Sequence, residues 1–223
     1  MRVLALTHGP SVGAGVFGDA VRDAGHELVE WCVPLGGGEP PAAAAAVLVF
    51  GGAMHPDQEE RHPWLLRELR FLEAALEREL PLFGVCLGAQ LLAKAAGADV
   101  QPARESEVGW FAVELTDAAG DDPVVGSLPA RFDAFQWHLY TYSLPDGAVE
   151  LARSPVCTQA FRLGRAYGIQ FHAEVTGPQI EQWLGEDPDD VADPDALRRE
   201  TATRIAEWNE LGRELCGAFL ETV

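Results

Sequence analysis

Cys86 lies in Leu82-Phe83-Gly84-Val85-Cys86-Leu87-Gly88-Ala89-Gln90, where a short apolar run meets a helix-forming one and Gly84 and Gly88 flank the thiol symmetrically. A strand that reverses into a helix within one residue strains the backbone at the turn, and neighbours without a Cβ let the two elements close on each other. The Gly-x-Cys-x-Gly pattern is that of a nucleophile elbow with sulfur in place of oxygen. It sets the thiol at a helix N-terminus, where the macrodipole and free N–H groups favour the nucleophilic anion. The N–H of Leu87 is then placed to hold an oxyanion. The competing reading is a small buried hydrophobe, the ordinary fate of a free cysteine.

A thiol nucleophile needs a base, and the base needs an orienting partner. Of the six histidines, His172 ends the apolar run Ala166-Tyr167-Gly168-Ile169-Gln170-Phe171, and Glu174 follows two positions on. In extended backbone such residues point the same way. Glu174 can thus accept a hydrogen bond from one ring nitrogen and leave the other facing a thiol, holding the tautomer and stabilising imidazolium. Acyl transfer also needs a second oxyanion donor, and Phe50-Gly51-Gly52-Ala53 offers one at Gly52, where the backbone can approach a substrate closely. Alone, His-x-Glu and Gly-Gly are weak signals; both take their weight from Cys86.

The elements that must position these residues read as a doubly wound α/β sheet. Strands are expected at Arg2 to Leu6, His26 to Trp31, Val47 to Phe50 and Leu82 to Val85, and helices at Val12 to Ala24, Pro63 to about Arg78 and from Leu87. Gly25 closes the first helix, and Pro34 to Ala46 reads as a connecting loop. Loops at the C-terminal ends of such strands carry ligands, and Gly51-Gly52 and Cys86 fall at those ends. After Ala98, β segments recur at Val108 to Leu115, Ala130 to Gln136, Ala148 to Arg153, Cys157 to Leu163 and Arg165 to Phe171, an antiparallel extension of the same core. Helix returns at Thr176 to Leu184 and Asp195 to Leu220 around an acidic loop, 185–190. The long last helix, with charges of both signs, reads as a solvated cover. The whole chain, 1–223, is read as one domain with a C-terminal helical extension from about 185.

The formal net charge of −19 over 223 residues argues against nucleic acid, anionic lipid and polyphosphate partners. The four cysteines, Cys32, Cys86, Cys157 and Cys216, lie far apart without metal spacing. No signal segment and no membrane-spanning apolar run is read, so a reducing, cytoplasmic setting is expected. No metal or cofactor is expected.

Gly84-Val85-Cys86-Leu87-Gly88-Ala89-Gln90 together with His172-Ala173-Glu174 resembles the class I, triad-type glutamine amidotransferases, and within them the stand-alone relatives of the GMP synthase glutaminase domain. Phe50-Gly51-Gly52, Pro63-Trp64-Leu65, Gly109-Trp110, Trp137-His138 and Gln159-Ala160-Phe161-Arg162 extend the resemblance over most of the chain. It implies a flavodoxin-like, mostly parallel sheet with an antiparallel extension. It also implies release of ammonia from the glutamine side chain through a γ-glutamyl thioester. On that resemblance Cys86 is the nucleophile, His172 the acid/base and Glu174 its orienter. Gly52 and Leu87 take the oxyanion positions, and Gln90 a glutamine-binding position.

The pattern is broken at three places: Ala173 and Ala53 stand where the family usually has proline, and Leu139-Tyr140 follow His138 where it tends to have Gly-Asp. The segment His138-Leu139-Tyr140 should help hold the amino-acid end of the substrate, and is expected as a loop. No Walker-type phosphate loop is present to activate an ammonia acceptor. Three readings follow: a glutaminase feeding a separate synthase partner, a free-standing γ-glutamyl hydrolase, and a binding or regulatory module on the same fold.

Overall fold

A computed structural model of the chain describes residues 1–36, 40 and 44–223. Among these, nine strands form one sheet in the order β2-β1-β3-β4-β9-β8-β7-β5-β6. The first five are parallel: β1 (Arg2–Thr7), β2 (Glu27–Cys32), β3 (Ala46–Val49), β4 (Leu82–Val85) and β9 (Ala166–Ile169). The other four continue antiparallel: β8 (Thr158–Leu163), β7 (Val149–Arg153), β5 (Val100–Leu115) and β6 (Arg131–Tyr142). The expected α/β architecture with an antiparallel extension is therefore found. The stretch expected as a connecting loop from Pro34 to Ala46 falls partly outside the described residues.

Apart from β2, a partly exposed edge strand, the parallel strands are buried on both faces, as their apolar runs require. Alternation divides them between two cores: Val3, Ala5, Leu48, Phe83 and Val85 face one side, and Leu4, Leu6, Val47, Val49 and Leu82 the other. The first side is covered by α1 (Gly15–Asp23) and α5 (Pro194–Glu221), which pack on each other, with α4 (Gly177–Glu186) beside them. The second is covered by α2 (Trp64–Glu77) and α3 (Leu87–Ala95).

Four sequence expectations change. α1 begins at Gly15 rather than Val12; the preceding residues form a loop, and Ser11 carries the hydrogen bond from Trp183 Nε1 on its carbonyl (2.9 Å). β5 and β6 are longer than the apolar pattern implied, because a break in register between Pro102 and Glu107 lets the polar start of β5 rejoin β6. Leu139 and Tyr140 consequently lie within β6, not in a loop. The acidic stretch is partly regular: α4 runs to Glu186, and Pro188–Asp190 forms a 3-10 turn. Finally, α5 is more than a solvated cover, since Leu197, Trp208, Gly212, Leu215, Cys216, Phe219 and Leu220 are buried along it. No helix among the described residues is long and apolar enough to cross a membrane.

Candidate active site

Three adjacent parallel strands deliver the singled-out motifs to one place. β4 pairs with β3 on one side (Val49 opposite Gly84) and with β9 on the other (Val85 opposite Ile169). Gly51-Gly52, Cys86 and His172 therefore emerge side by side at the C-terminal ends of β3, β4 and β9. Cys86 has φ 52 and ψ −111, the left-handed side of backbone space that a non-glycine residue rarely occupies. Its N–H donates to the Ile169 carbonyl at 2.8 Å, fixing the turn against β9. The flanking glycines are sterically required. A Cβ on Gly88 would sit 2.0 Å from the Val49 oxygen, and one on Gly84 2.7 Å from the Gly88 carbonyl group.

The segment after β9 is held by its backbone from three directions. The His172 N–H donates to the Phe135 carbonyl at 2.8 Å, and Trp208 Nε1 of α5 donates to the His172 carbonyl at 2.8 Å. Asn209 Nδ2 donates to the Val175 carbonyl at 2.7 Å, and the Val16 N–H of α1 to that of Glu174 at 2.9 Å. Gly212 and Gly15 let α5 and α1 come this close: a Cβ on either would lie about 2 Å from the carbonyl oxygen of Ala173 (2.1 Å) or Glu174 (1.9 Å).

His172 is buried and its Nδ1 meets Glu174 Oε1 at 2.8 Å. Trp183 packs its edge on the ring, with centroids 4.9 Å apart. Cys86 neighbours the ring, and both stand against Gly51. Burial by itself pulls the His172 pKa down, but the charges of Glu174 and Cys86 and their hydrogen bonds outweigh it and raise the value to about 10. The arrangement favours the imidazolium form of His172. The Cys86 sulfur also lies 3.7 Å from the Trp137 carbonyl oxygen. Gly51 closes the site from β3, since a Cβ there would stand 2.9 Å from the His172 ring and 3.7 Å from the Cys86 Cβ.

These groups open into a cavity of about 270 Å³ bordered by Gly52, Leu87, Gln90, Trp137, His138, Leu139, Tyr140 and Trp183, with Glu186, Asp187 and Asp190 at its rim. None of the lining residues is Lys or Arg. The structure thus brings together all three residues of the expected triad and both expected oxyanion positions. The expected substrate contacts are more varied. Gln90 is buried and spends its Nε2 inside the protein, on the Tyr140 carbonyl (2.9 Å) and Gln170 Oε1 (3.2 Å). His138 borders the cavity, but both ring nitrogens are engaged, with Glu107 Oε2 at 3.1 Å and the Tyr140 carbonyl at 3.1 Å. Tyr140 donates its hydroxyl to Asp57 at 3.2 Å and stacks on His55 at 4.2 Å, which ties β6 to the loop after β3. Leu139 is 42% exposed at the rim.

Among the described residues, Glu107, His138 and Cys157 have ligand atoms spaced as a metal site would need. However, Gln159 Nε2 donates to Glu107 Oε2 at 2.9 Å and to Cys157 Sγ at 3.5 Å, so a donor amide points at the place of a cation. Burial pushes the Cys157 thiol up to about 11, which disfavours the thiolate a metal would bind. The cluster is a hydrogen-bonded network behind the cavity wall.

Sequence reasoning missed Trp183, Trp208 and a buried pair, His8 with Glu68. A tryptophan on the helix that follows the His-x-Glu motif is a usable local signal. His8 and Glu68 are separated by 60 positions, and no local pattern joins them.

Residues 36–184 match the family model for glutamine amidotransferase class-I. The chain is 36% identical over 148 residues to a γ-glutamyl-L-1-hydroxyisopropylamide hydrolase of a Pseudomonas species, covering 62% of this chain and 50% of that protein. It is 35% identical over 134 residues to the glutamine-hydrolysing GMP synthase of Thermomicrobium roseum, covering 58% of this chain and 23% of that one. The chain thus spans half or less of the length of these two relatives. A crystal structure of a glutamine amidotransferase from Thermotoga maritima superposes with a TM-score of 0.90 at 31% identity, covering 99% of this chain and 98% of that one. The chain belongs to the class I glutamine amidotransferase family, and is an amide hydrolase.

Proposed function

We propose that the protein hydrolyses the side-chain amide of glutamine through a γ-glutamyl thioester on Cys86, releasing ammonia for an acceptor on a partner protein. The observation that carries this reading is the buried Cys86–His172–Glu174 constellation facing the cavity. In the first step the Cys86 sulfur adds to the amide carbon, and the carbonyl oxygen takes the negative charge beside the N–H groups of Gly52 and Leu87. His172 hands its proton to the departing nitrogen as the C–N bond breaks, leaving the thioester and ammonia. Water then adds to the thioester carbon while His172 takes its proton. Collapse breaks the C–S bond, frees glutamate and returns the thiol–imidazole pair to its starting state. Glu174 holds the ring and balances its charge throughout. The test is hydrolysis of glutamine by the purified protein with ammonia and glutamate both measured, alone and with candidate synthases. Equal yields of the two products, abolished in Cys86→Ala, are expected. Activity retained in Cys86→Ala would remove the thioester.

A second reading is favoured by one observation. Leu139 lies exposed at the rim in β6, and Tyr140 is tied to His55 and Asp57, so this wall is apolar and aromatic where the family pattern tends to have Gly-Asp. Such a wall suits a γ-glutamyl amide with an apolar amine portion, the kind of compound named for the Pseudomonas hydrolase. Comparing kcat/KM for glutamine with a panel of γ-glutamyl alkylamides separates the two. Under this second reading, Leu139→Gly/Tyr140→Asp shifts preference toward free glutamine. If the wild type prefers glutamine and the double variant does not change the ranking, the departure is silent.

A further inference from the structure

The peptide unit between Gly51 and Gly52 has no side chain on either side, and both absences are forced. A Cβ on Gly51 would strike the His172 ring at 2.9 Å, and one on Gly52 would strike His8 Cβ and Leu87 Cδ2 at 2.9 Å. Two consecutive glycines make rotation of their shared peptide cheap. Yet the orientation of this peptide decides what the cavity presents. In a trans peptide the carbonyl oxygen and the following N–H point to opposite sides, and no cis peptide is present among the described residues. Rotation by half a turn would exchange the Gly52 N–H for the Gly51 oxygen, replacing a donor for an oxyanion with an acceptor that repels one.

His8 holds one orientation. It follows β1, which pairs in register with β3 (Leu6 opposite Val49), so its ring lies beside the end of β3. Its Nδ1 lies 2.8 Å from the Gly51 carbonyl oxygen, and its Nε2 lies 2.9 Å from both carboxylate oxygens of Glu68 on α2. The two side chains are 0% and 1% exposed, and Trp64 stacks on the ring at 5.5 Å. Both neighbours of the imidazole are acceptors, so the form in which both nitrogens donate, the cation, is the one that satisfies both contacts. Burial pulls its pKa down, while Glu68 and the Gly51 carbonyl outweigh that and raise it. An isolated buried cation here would be costly, and Glu68 supplies the compensating charge. The Gly52 N–H, on the far side of the peptide, has no acceptor among the described residues.

We propose that the buried His8–Glu68 pair is the positioning device of the oxyanion site: His8, charged against Glu68, pins the Gly51 carbonyl so that the Gly52 N–H stays turned toward the substrate oxygen. His8 touches no reacting atom and acts through the peptide. The proposal rests on the thioester reading above, and its test is built to fail separately from it.

Two variants share one change and differ at one position. His8→Leu/Glu68→Leu replaces the ion pair by apolar residues, an exchange that buried pairs tolerate. His8→Asn/Glu68→Leu keeps a single donor close to the position of Nδ1. In the first, kcat for γ-glutamyl amide hydrolysis should fall on the order of 10²-fold, the loss expected for one oxyanion donor, with little change in KM. In the second, most of the loss should be recovered. The alkylation rate of Cys86 by iodoacetamide, a displacement with no oxyanion, should stay within about twofold in both, since the rest of the site is kept. Parallel loss of kcat and alkylation, or unchanged kcat in the first variant, overturns the proposal. If the wild type hydrolyses no γ-glutamyl amide, the functional reading fails, and crystal structures of the two variants decide this one. A Gly51–Gly52 peptide turned over in His8→Leu/Glu68→Leu and restored in His8→Asn/Glu68→Leu supports it; an unmoved peptide in both refutes it.

Discussion

Burial alone would make His172 a weak base held neutral; the two partners reverse that. A histidine whose folded pKa is raised above its unfolded value of 6.5 contributes stability that is complete below about 6.5. That contribution is lost as pH rises through about 10. Glu174 supplies the largest of the raising effects, ahead of Cys86. Glu174→Gln should therefore lower the melting temperature most near pH 6, and the gap to wild type should shrink as pH approaches 10. A gap that stays constant over this range would mean that Glu174 acts through packing and not through charge on His172. The same variant should keep part of its turnover, because the thiol–imidazole pair survives without its third member. Cys86→Ser should keep none measurable, since a hydroxyl is far harder to ionise than a thiol. Steady-state kcat for the two variants, measured side by side, checks the ranking; equal losses would place Glu174 in a structural role.

At the scale of elements, the site depends on close approaches that only glycine permits and on a helix far away in sequence. Gly88→Ala would force a methyl group onto the backbone oxygen of Val49 at 2.0 Å, and neither β3 nor α3 has a flexible end there to yield. The expected loss is at least the ~1–3 kcal/mol typical of overpacking, readable as a drop in denaturation midpoint together with lost activity. Trp208→Phe keeps most of the packing of α5 but removes the donor to the His172 carbonyl. It should cost about 1–3 kcal/mol for the buried acceptor left unpaired, with kcat falling and KM nearly constant. Unchanged stability and activity in Trp208→Phe would show that the other backbone bonds of the segment suffice. The elbow and the His-x-Glu pair were legible because their chemistry is local: spacing within a few residues states the geometry. The role of α5 was not, because its buried positions are diluted among charges of both signs over 28 residues. The full length of β5 and β6 was hidden for a similar reason. Residues between Pro102 and Glu107 break the register, and their polar character reads as loop. His8 with Glu68 could not be read at all, since the partners meet only once α2 folds onto the sheet.

For the molecule as a whole, the net charge of −19 is not spread indifferently with respect to the site. Glu186, Asp187 and Asp190 border the cavity and none of the lining residues is Lys or Arg. Asp190 is held there by the hydrogen bond from Trp137 Nε1 at 3.0 Å. The Asp187 carboxyl is pushed above its ordinary value by desolvation and by the neighbouring charges of Asp190 and Glu186, and these three carboxylates make this side of the cavity negative. A substrate must pass it with its γ-amide leading. A zwitterion such as glutamine feels little net force, whereas a γ-glutamyl compound whose amine portion is anionic is repelled. We expect kcat/KM for γ-glutamylglutamate to fall below that for a neutral γ-glutamyl amide of similar size by a factor on the order of 10 at low ionic strength. The gap should narrow as salt is raised from ~0.01 to ~0.5 M, because the screening length then drops from about 30 Å to a few ångströms. Asp187→Asn/Asp190→Asn should close part of the gap at low salt and leave the neutral substrate nearly unaffected. A preference that ignores both salt and these substitutions would assign the discrimination to the shape of the Leu139–Tyr140 wall and not to the field.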